Sequence, residues 1–336
     1  MSTRKIIGLV AAAALLGTAL TACGTNSGSN AAPSSAGSSS TAPAEPSSTG
    51  VAAPTDAVPG FTVPGPSDKG GKNNPVKVGV VGASNKQFQV LKAAAEAEGI
   101  YITFQDFTDY TQPNPALATG QLDLNQFQHI VYLASYNVNN KQNLVPIGST
   151  AIYPLGVYSK TYKSVADIPA GATVVLPDDP TNQARGLQVL QSAGLIKLKD
   201  GTRSLFGQVA DIDTAASRVK IKAIAPDQTP RALDDPKIAA AVINNDYVAD
   251  TGLSPKDAIA QDDANSPAAQ PFINIWVARD ADKANPLYLE IVRLAHSDAW
   301  NQALLDNSEG TGVLVNEPAD KLQQVLADAE NQMNAG

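Results

Sequence analysis

The chain has 336 residues, with 24 Lys and Arg against 32 Asp and Glu, for a formal net charge of −8. An acidic chain of this kind lacks the clustered Lys and Arg that nucleic-acid phosphates demand, so nucleic acid is excluded as a partner. Its single cysteine rules out an intramolecular disulfide, a zinc-thiolate cluster and a CxxC redox pair.

The chain opens with Arg4 and Lys5, an apolar stretch over 6–20, and Leu20, Thr21, Ala22 and Cys23. A basic start, a short apolar run and small residues before a cysteine predict a lipoprotein signal peptide over 1–22, cut so that Cys23 becomes the acylated N-terminus. The apolar run is shorter than the ~20 residues a membrane span needs. From Cys23 to residue 74 the composition falls to Ser, Ala, Pro, Gly, Thr and Asn. Such a segment buries too little apolar surface to offset its ordering entropy, so 23–74 is expected to be a disordered tether. A coil of about 50 residues reaches roughly 40 Å.

The remaining ~260 residues are long enough for one large domain or two smaller ones. Val76–Val81 reads as a buried strand. Ser84 or Asn85 can cap a helix whose face carries Phe88, Leu91 and Ala95 and which ends at Gly99 in a left-handed conformation. A second strand at 100–104 completes a βαβ unit, the mark of a parallel sheet covered by helices. Further strands are expected at 143–147, 153–158, 172–176, 239–243 and 272–277. Asp179 followed by Pro180 predicts an N-cap and N1 position for a helix reaching toward Gly194. Amphipathic helices are expected at 286–296 and 318–333. The fold class is therefore α/β, with two lobes and a ligand in the cleft between them.

Catalytic signatures are missing. The two histidines, His129 and His296, belong to no HExxH motif, and no GxSxG, P-loop or GxGxxG follows a strand. The acid pairs at 234–235 and 262–263 read as solvated turns. No enzyme, cofactor or metal site is expected.

Several short runs remain: FTDYTQPN at 107–114, LNQFQHIVYL at 124–133, PDDPTNQAR at 177–185, GLIKLKDG at 194–201, PRALDD at 230–235, AVIN at 241–244 and PFIN at 271–274. In this order and spacing the chain resembles the NlpA/MetQ-type lipoproteins, the methionine-binding components of ABC importers, over about residues 76–315. The resemblance implies a type II-like periplasmic-binding-protein fold, with one lobe from 75–153 and 247–336 and the other from 154–246. It implies that Tyr110, Phe127, His129 and Tyr132 wall the methionine side chain, that Arg185 meets the carboxylate, and that Asn244 and Asn274 fix the amino-acid backbone. It further implies an ABC permease and ATPase as partners, a monomer, and a lipid anchor on the extracytoplasmic side of the membrane. Other ligands compatible with the class are another small amino acid, D-methionine or a short peptide, and a non-transport surface or sensor role is the remaining alternative. Two departures from the family pattern are Asp178, where Asn is usual, and Asn245, where Thr is common.

The residue chemistry agrees with those roles. An Arg fork matches a carboxylate bidentately, a helix N-terminus favours an anion, and a thioether is attracted to aromatic rings. Considered singly, Phe127 and Tyr132 read as core, His129 as a structural histidine, and Arg185 as a partner of Asp178 or Asp179.

Overall fold

The computed structural model describes residues 56–335. The signal peptide, Cys23 and most of the expected tether lie outside the described residues. The chain enters its first sheet at β1 (Val76–Val81), whose near-continuous burial reflects a strand covered on both faces. Helix α1 (Lys86–Ala97) follows, burying Phe88, Leu91 and Ala95 as its spacing predicts, and Gly99 takes φ +75° just beyond it. Next come β2 (Ile102–Phe107), α2 (Pro113–Ala118), β3 (Leu124–His129), α3 (Ile130–Asn140), β4 (Leu144–Ser149) and the short β5 (Ala151–Ile152).

The second sheet begins at β6 (Gly156–Tyr158) and continues through β7 (Thr173–Pro177), α4 (Pro180–Ser192), β8 (Lys220–Ile224), α5 (Thr229–Ala232), β9 (Ile238–Ile243), α6 (Asn245–Val248) and β10 (Ala260–Gln261). The chain then returns to the first sheet with β11 (Asn274–Arg279), α7 (Pro286–Leu294), α8 (Asp298–Asn307), β12 (Val313–Leu314) and α9 (Ala319–Asn334).

The two sheets share one plan. In the first, the order is β2-β1-β3-β11-β4, with β1, β2 and β3 parallel and β11 antiparallel to its neighbours β3 and β4. In the second, the order is β8-β7-β9-β6-β10, with β7, β8 and β9 parallel and β6 antiparallel to β9. Each sheet is thus a parallel βαβ core with an antiparallel strand beside its third member. The molecule is α/β with two lobes of the periplasmic-binding-protein kind.

Some expected boundaries moved, each for a local reason. The strand expected at 153–158 is shortened, because Pro154 has no N–H for a ladder, and only Gly156–Tyr158 joins a sheet. The strand expected at 272–277 starts at Asn274, since Pro271 and Phe272 close a 3-10 turn. The return to the first lobe was expected at residue 247, but β10 pairs with β6 and keeps the chain with the second sheet through Gln261. Unanticipated elements include β8, whose alternating Lys and apolar residues suit an edge strand, and α8.

Residues 56–74, expected as the end of the tether, are instead strapped onto the first lobe. Phe61 packs against its core, the Val58 N–H donates to Glu290 Oε2 at 2.8 Å, and Lys69 pairs with Asp123 at 3.0 Å. Glu290 is fully buried, so the strap supplies one of the donors its carboxylate needs. A chain beginning at residue 75 is therefore expected to be less stable than one beginning at residue 56 by about 2 kcal/mol or more, from one half-buried aromatic and one hydrogen bond to a carboxylate. Thermal unfolding of the two chains checks this, with a midpoint lower by roughly 4–8 °C in the shorter one.

Candidate functional site

Ligands of open α/β sheets bind beyond the carboxyl ends of the strands. Here three strand ends converge. β3 runs into α3 with His129 as N-cap, β7 into α4 with Asp179 as N-cap, and β9 into α6 with Asn244 as N-cap. Between them lies a cavity with about 440 Å³ of atom-free space, part of it open to solvent. All seven residues singled out from the sequence line it: Tyr110, Phe127, His129, Tyr132, Arg185, Asn244 and Asn274.

The aromatic end is a triad. Tyr110, Phe127 and Tyr132 have ring centroids 5.9, 6.0 and 5.9 Å apart, taken as Tyr110–Phe127, Tyr110–Tyr132 and Phe127–Tyr132. Tyr132 O–H donates to the Tyr110 carbonyl at 3.0 Å, and Tyr110 O–H donates to Asp246 Oδ2 at 2.8 Å, reaching from one lobe to the other. Tyr247 O–H makes a second such bridge, to the Thr108 carbonyl at 3.3 Å.

The polar end is a relay whose orientation follows from its first member. Asp179 caps α4 by accepting from the Asn182 N–H at 3.0 Å and also accepts from the Asn182 amide NH2. The Asn182 side-chain carbonyl must then face the other way. It receives Asn244 Nδ2 at 2.9 Å and lies 3.1 Å from His129 Nε2. His129 Nδ1 accepts the Tyr132 backbone N–H at 3.1 Å, so the ring proton sits on Nε2 and is donated to Asn182. Burial, with the nearby Arg185 charge second, pushes the His129 pKa down to about 3, so the ring is neutral at ordinary pH. One atom is left over. Asn244 Oδ1, turned away from Asn182, is buried with no hydrogen-bond partner among the described residues. A buried acceptor in that condition costs about 1–3 kcal/mol until a donor arrives.

Arg185 pairs with neither Asp178 nor Asp179. Its Nε donates to Asp262 Oδ2 at 2.6 Å and its Nη2 to Asp262 Oδ1 at 3.2 Å and to the Tyr153 carbonyl at 2.8 Å. Its guanidinium carbon also lies 4.3 Å from the Phe272 ring centre. Nη1 has no hydrogen bond to a described residue. Gly186 lets α4 approach β9, since a Cβ there would already touch Val242 at 3.3 Å. Asp178, the departure noted above, is exposed and does not line the cavity.

A sequence model of the NlpA lipoprotein family matches residues 76–315. The chain belongs to the NlpA lipoprotein family. It is 40% identical over 237 residues, 70% of this chain and 85% of the relative, to the D-methionine-binding lipoprotein MetQ of Yersinia pestis. Among solved structures it is similar to a nutrient-binding protein of Burkholderia cenocepacia bound to methionine, at 38% identity and TM-score 0.66, covering 71% of this chain and 99% of that one. It is also similar to the substrate-binding protein of a methionine transporter from Streptococcus pneumoniae, at 33% identity and TM-score 0.67, covering 72% and 95%.

Sequence reasoning on this NlpA-family chain missed Tyr153, Asn182 and Asp246 in the cavity wall and Asp262 behind Arg185. Asn182 was within reach, because it stands three residues before Arg185 on one helix face. Asp262 had been read as a solvated turn, and no local pattern marks it, since its partner is 77 positions away.

The His129 environment yields a pH prediction. Its folded pKa lies below the ordinary 6.5, so the unfolded chain takes up the proton first. His129 therefore leaves stability unaffected above pH 6.5 and withdraws it progressively as pH falls toward about 3. The measurement is the His129 ring chemical shift, expected to hold its neutral value from pH 8 down to roughly pH 4.

Proposed function

We propose that this chain is the substrate-binding lipoprotein of an ABC importer, closing its two lobes on L-methionine and delivering it to a permease driven by an ATPase. The observation that carries the reading is Asn244 Oδ1, a buried acceptor without a partner in a cavity that also presents the guanidinium of Arg185 and an aromatic triad. A free amino acid supplies the complement of each. Its ammonium gives the missing donor, its carboxylate accepts from Nη1 of Arg185, and a thioether gains about 0.3–1.5 kcal/mol against aromatic rings. Asn274, opposite His129 in the β3–β11 register, presents its amide to the ligand backbone.

The interlobe bonds from Tyr110 to Asp246, Tyr247 to Thr108 and His129 to Asn182 support closure as the means of sequestering the ligand. The role is one of binding without turnover. The protein acts as a monomer, acylated at Cys23 and held on the extracytoplasmic face of the membrane. The names of the curated relatives favour D-methionine as a second ligand, so both enantiomers belong in the test.

Calorimetric titration of protein stripped by unfolding and refolding is expected to give one-to-one binding of methionine. Silence with both enantiomers, together with a thermal shift from another amino acid, would move the ligand and keep the class. Asn244→Ala is expected to weaken methionine binding roughly 10- to 100-fold, the worth of a hydrogen bond to a charged group, about 1.5–3 kcal/mol. An unchanged affinity in that variant would remove Asn244 from the site.

A further inference from the structure

The charges around the cavity do not balance. Arg185 is neutralised by its bidentate pair with Asp262, and His129 is held neutral. Asp246 also lines the cavity, and it has no cationic partner among the described residues. Burial raises the Asp246 pKa from the ordinary carboxylate value to about 6, so above that pH it is ionised and this end of the cavity carries negative charge.

That charge belongs to the aromatic end. The Asp246 carboxylate accepts from the Tyr110 hydroxyl at 2.8 Å. Carboxylates stand near the tyrosines there. Beyond burial, Tyr110 is perturbed by Asp246 and Asp179, and Tyr132 by Asp179 and Asp109, each carboxylate raising its pKa. The ring faces themselves carry negative potential and attract a cation lying within ~6 Å of their centres. With centroids about 6 Å apart, a group seated over the middle of the triad satisfies that distance for all three rings at once.

A zwitterionic amino acid leaves this negative field uncompensated. An amino acid whose side chain ends in a fixed cation compensates it. We propose that the cavity also binds the sulfonium form of its ligand, methionine carrying a second methyl group on sulfur, with the onium against Tyr110, Phe127 and Tyr132 and Asp246 as its counter-charge. This inference rests on the reading that the ligand side chain lies against the aromatic triad with its ammonium at Asn244. Asp246 is then a specificity-determining residue, tuning the site between a neutral and a cationic side chain.

The test is calorimetric titration of the full chain in detergent, stripped of ligand by unfolding and refolding, with L-methionine and with S-methyl-L-methionine. Wild-type protein is expected to bind the sulfonium one-to-one, with a Kd within about tenfold of the methionine value. Asp246→Asn is expected to raise the sulfonium Kd at least tenfold more than the methionine Kd, and Asp246→Glu to restore the wild-type ratio, which separates charge from folding. Absence of sulfonium binding to wild type would overturn the proposal. So would an Asp246→Asn variant that shifts both ligands by one factor, since Asp246 would then serve the shared ammonium. Sulfonium binding without methionine binding would sustain the proposal and sink the methionine reading, whereas failure of both ligands would sink both.

Discussion

The pair between Arg185 and Asp262 is the interaction on which the rest of the site depends. The chain passes between its two sheets along two connections, one through Tyr153 and Leu155, the other after Gln261. Arg185 reaches from α4 to both, donating to the Tyr153 carbonyl and to Asp262, while Asp262 accepts the Leu155 N–H at 2.8 Å. The Arg185 side chain is only 6% exposed, so the two charges must satisfy one another, and removing either would strand its partner in a poorly solvated place. The pair therefore fixes where α4 sits against the crossings. It also leaves Nη1 without a hydrogen bond to a described residue, on a side chain that lines the cavity.

A second constraint is directional. Carboxylate, amide, imidazole and amide are joined in one chain of hydrogen bonds, and the carboxylate can only accept while it is ionised. That condition at Asp179 turns Asn182, which turns Asn244, which leaves an acceptor with nothing to receive. The same chain fixes the His129 tautomer, because the ring's other nitrogen is taken by a backbone N–H at the start of α3. The orientation of that acceptor thus originates in a helix cap. The cap would be needed for α4 in any case, and the relay transmits its polarity to the cavity wall.

The shared plan of the two sheets explains why these caps meet. In each lobe, parallel strands end in helix N-termini on the side facing the cleft, so His129 from one lobe meets Asn182 from the other, and Asn182 also receives Asn244 of its own lobe. Tyr110 and Asp246 meet in the same way at the opposite end of the cavity. Neither lobe holds the aromatic wall, the guanidinium and the orphan acceptor together, so the complete site exists only when the lobes are closed on each other.

The sequence by itself determined much of the local structure and named seven of the residues that line the cavity. Apolar runs at 76–81 and 239–243 became buried strands because, Lys77 apart, they have no polar side chain to expose. Asp179 with Pro180 became a helix start because that pair satisfies the first-turn geometry, and Gly99 closed α1 at positive φ. The ordered motifs named Tyr110, Phe127, His129, Tyr132, Arg185, Asn244 and Asn274, and all seven face one cavity. Only the tertiary structure decided the partnerships: Asp262 with Arg185, Asp246 with Tyr110, Asn182 between His129 and Asn244, and the strap at 56–74 against Glu290. The physical reason is range. Caps, turns and periodicity are written within a few residues, whereas these contacts join positions between 53 and 232 apart in the chain. Which carboxylate is solvated and which is paired depends on what the fold brings beside it.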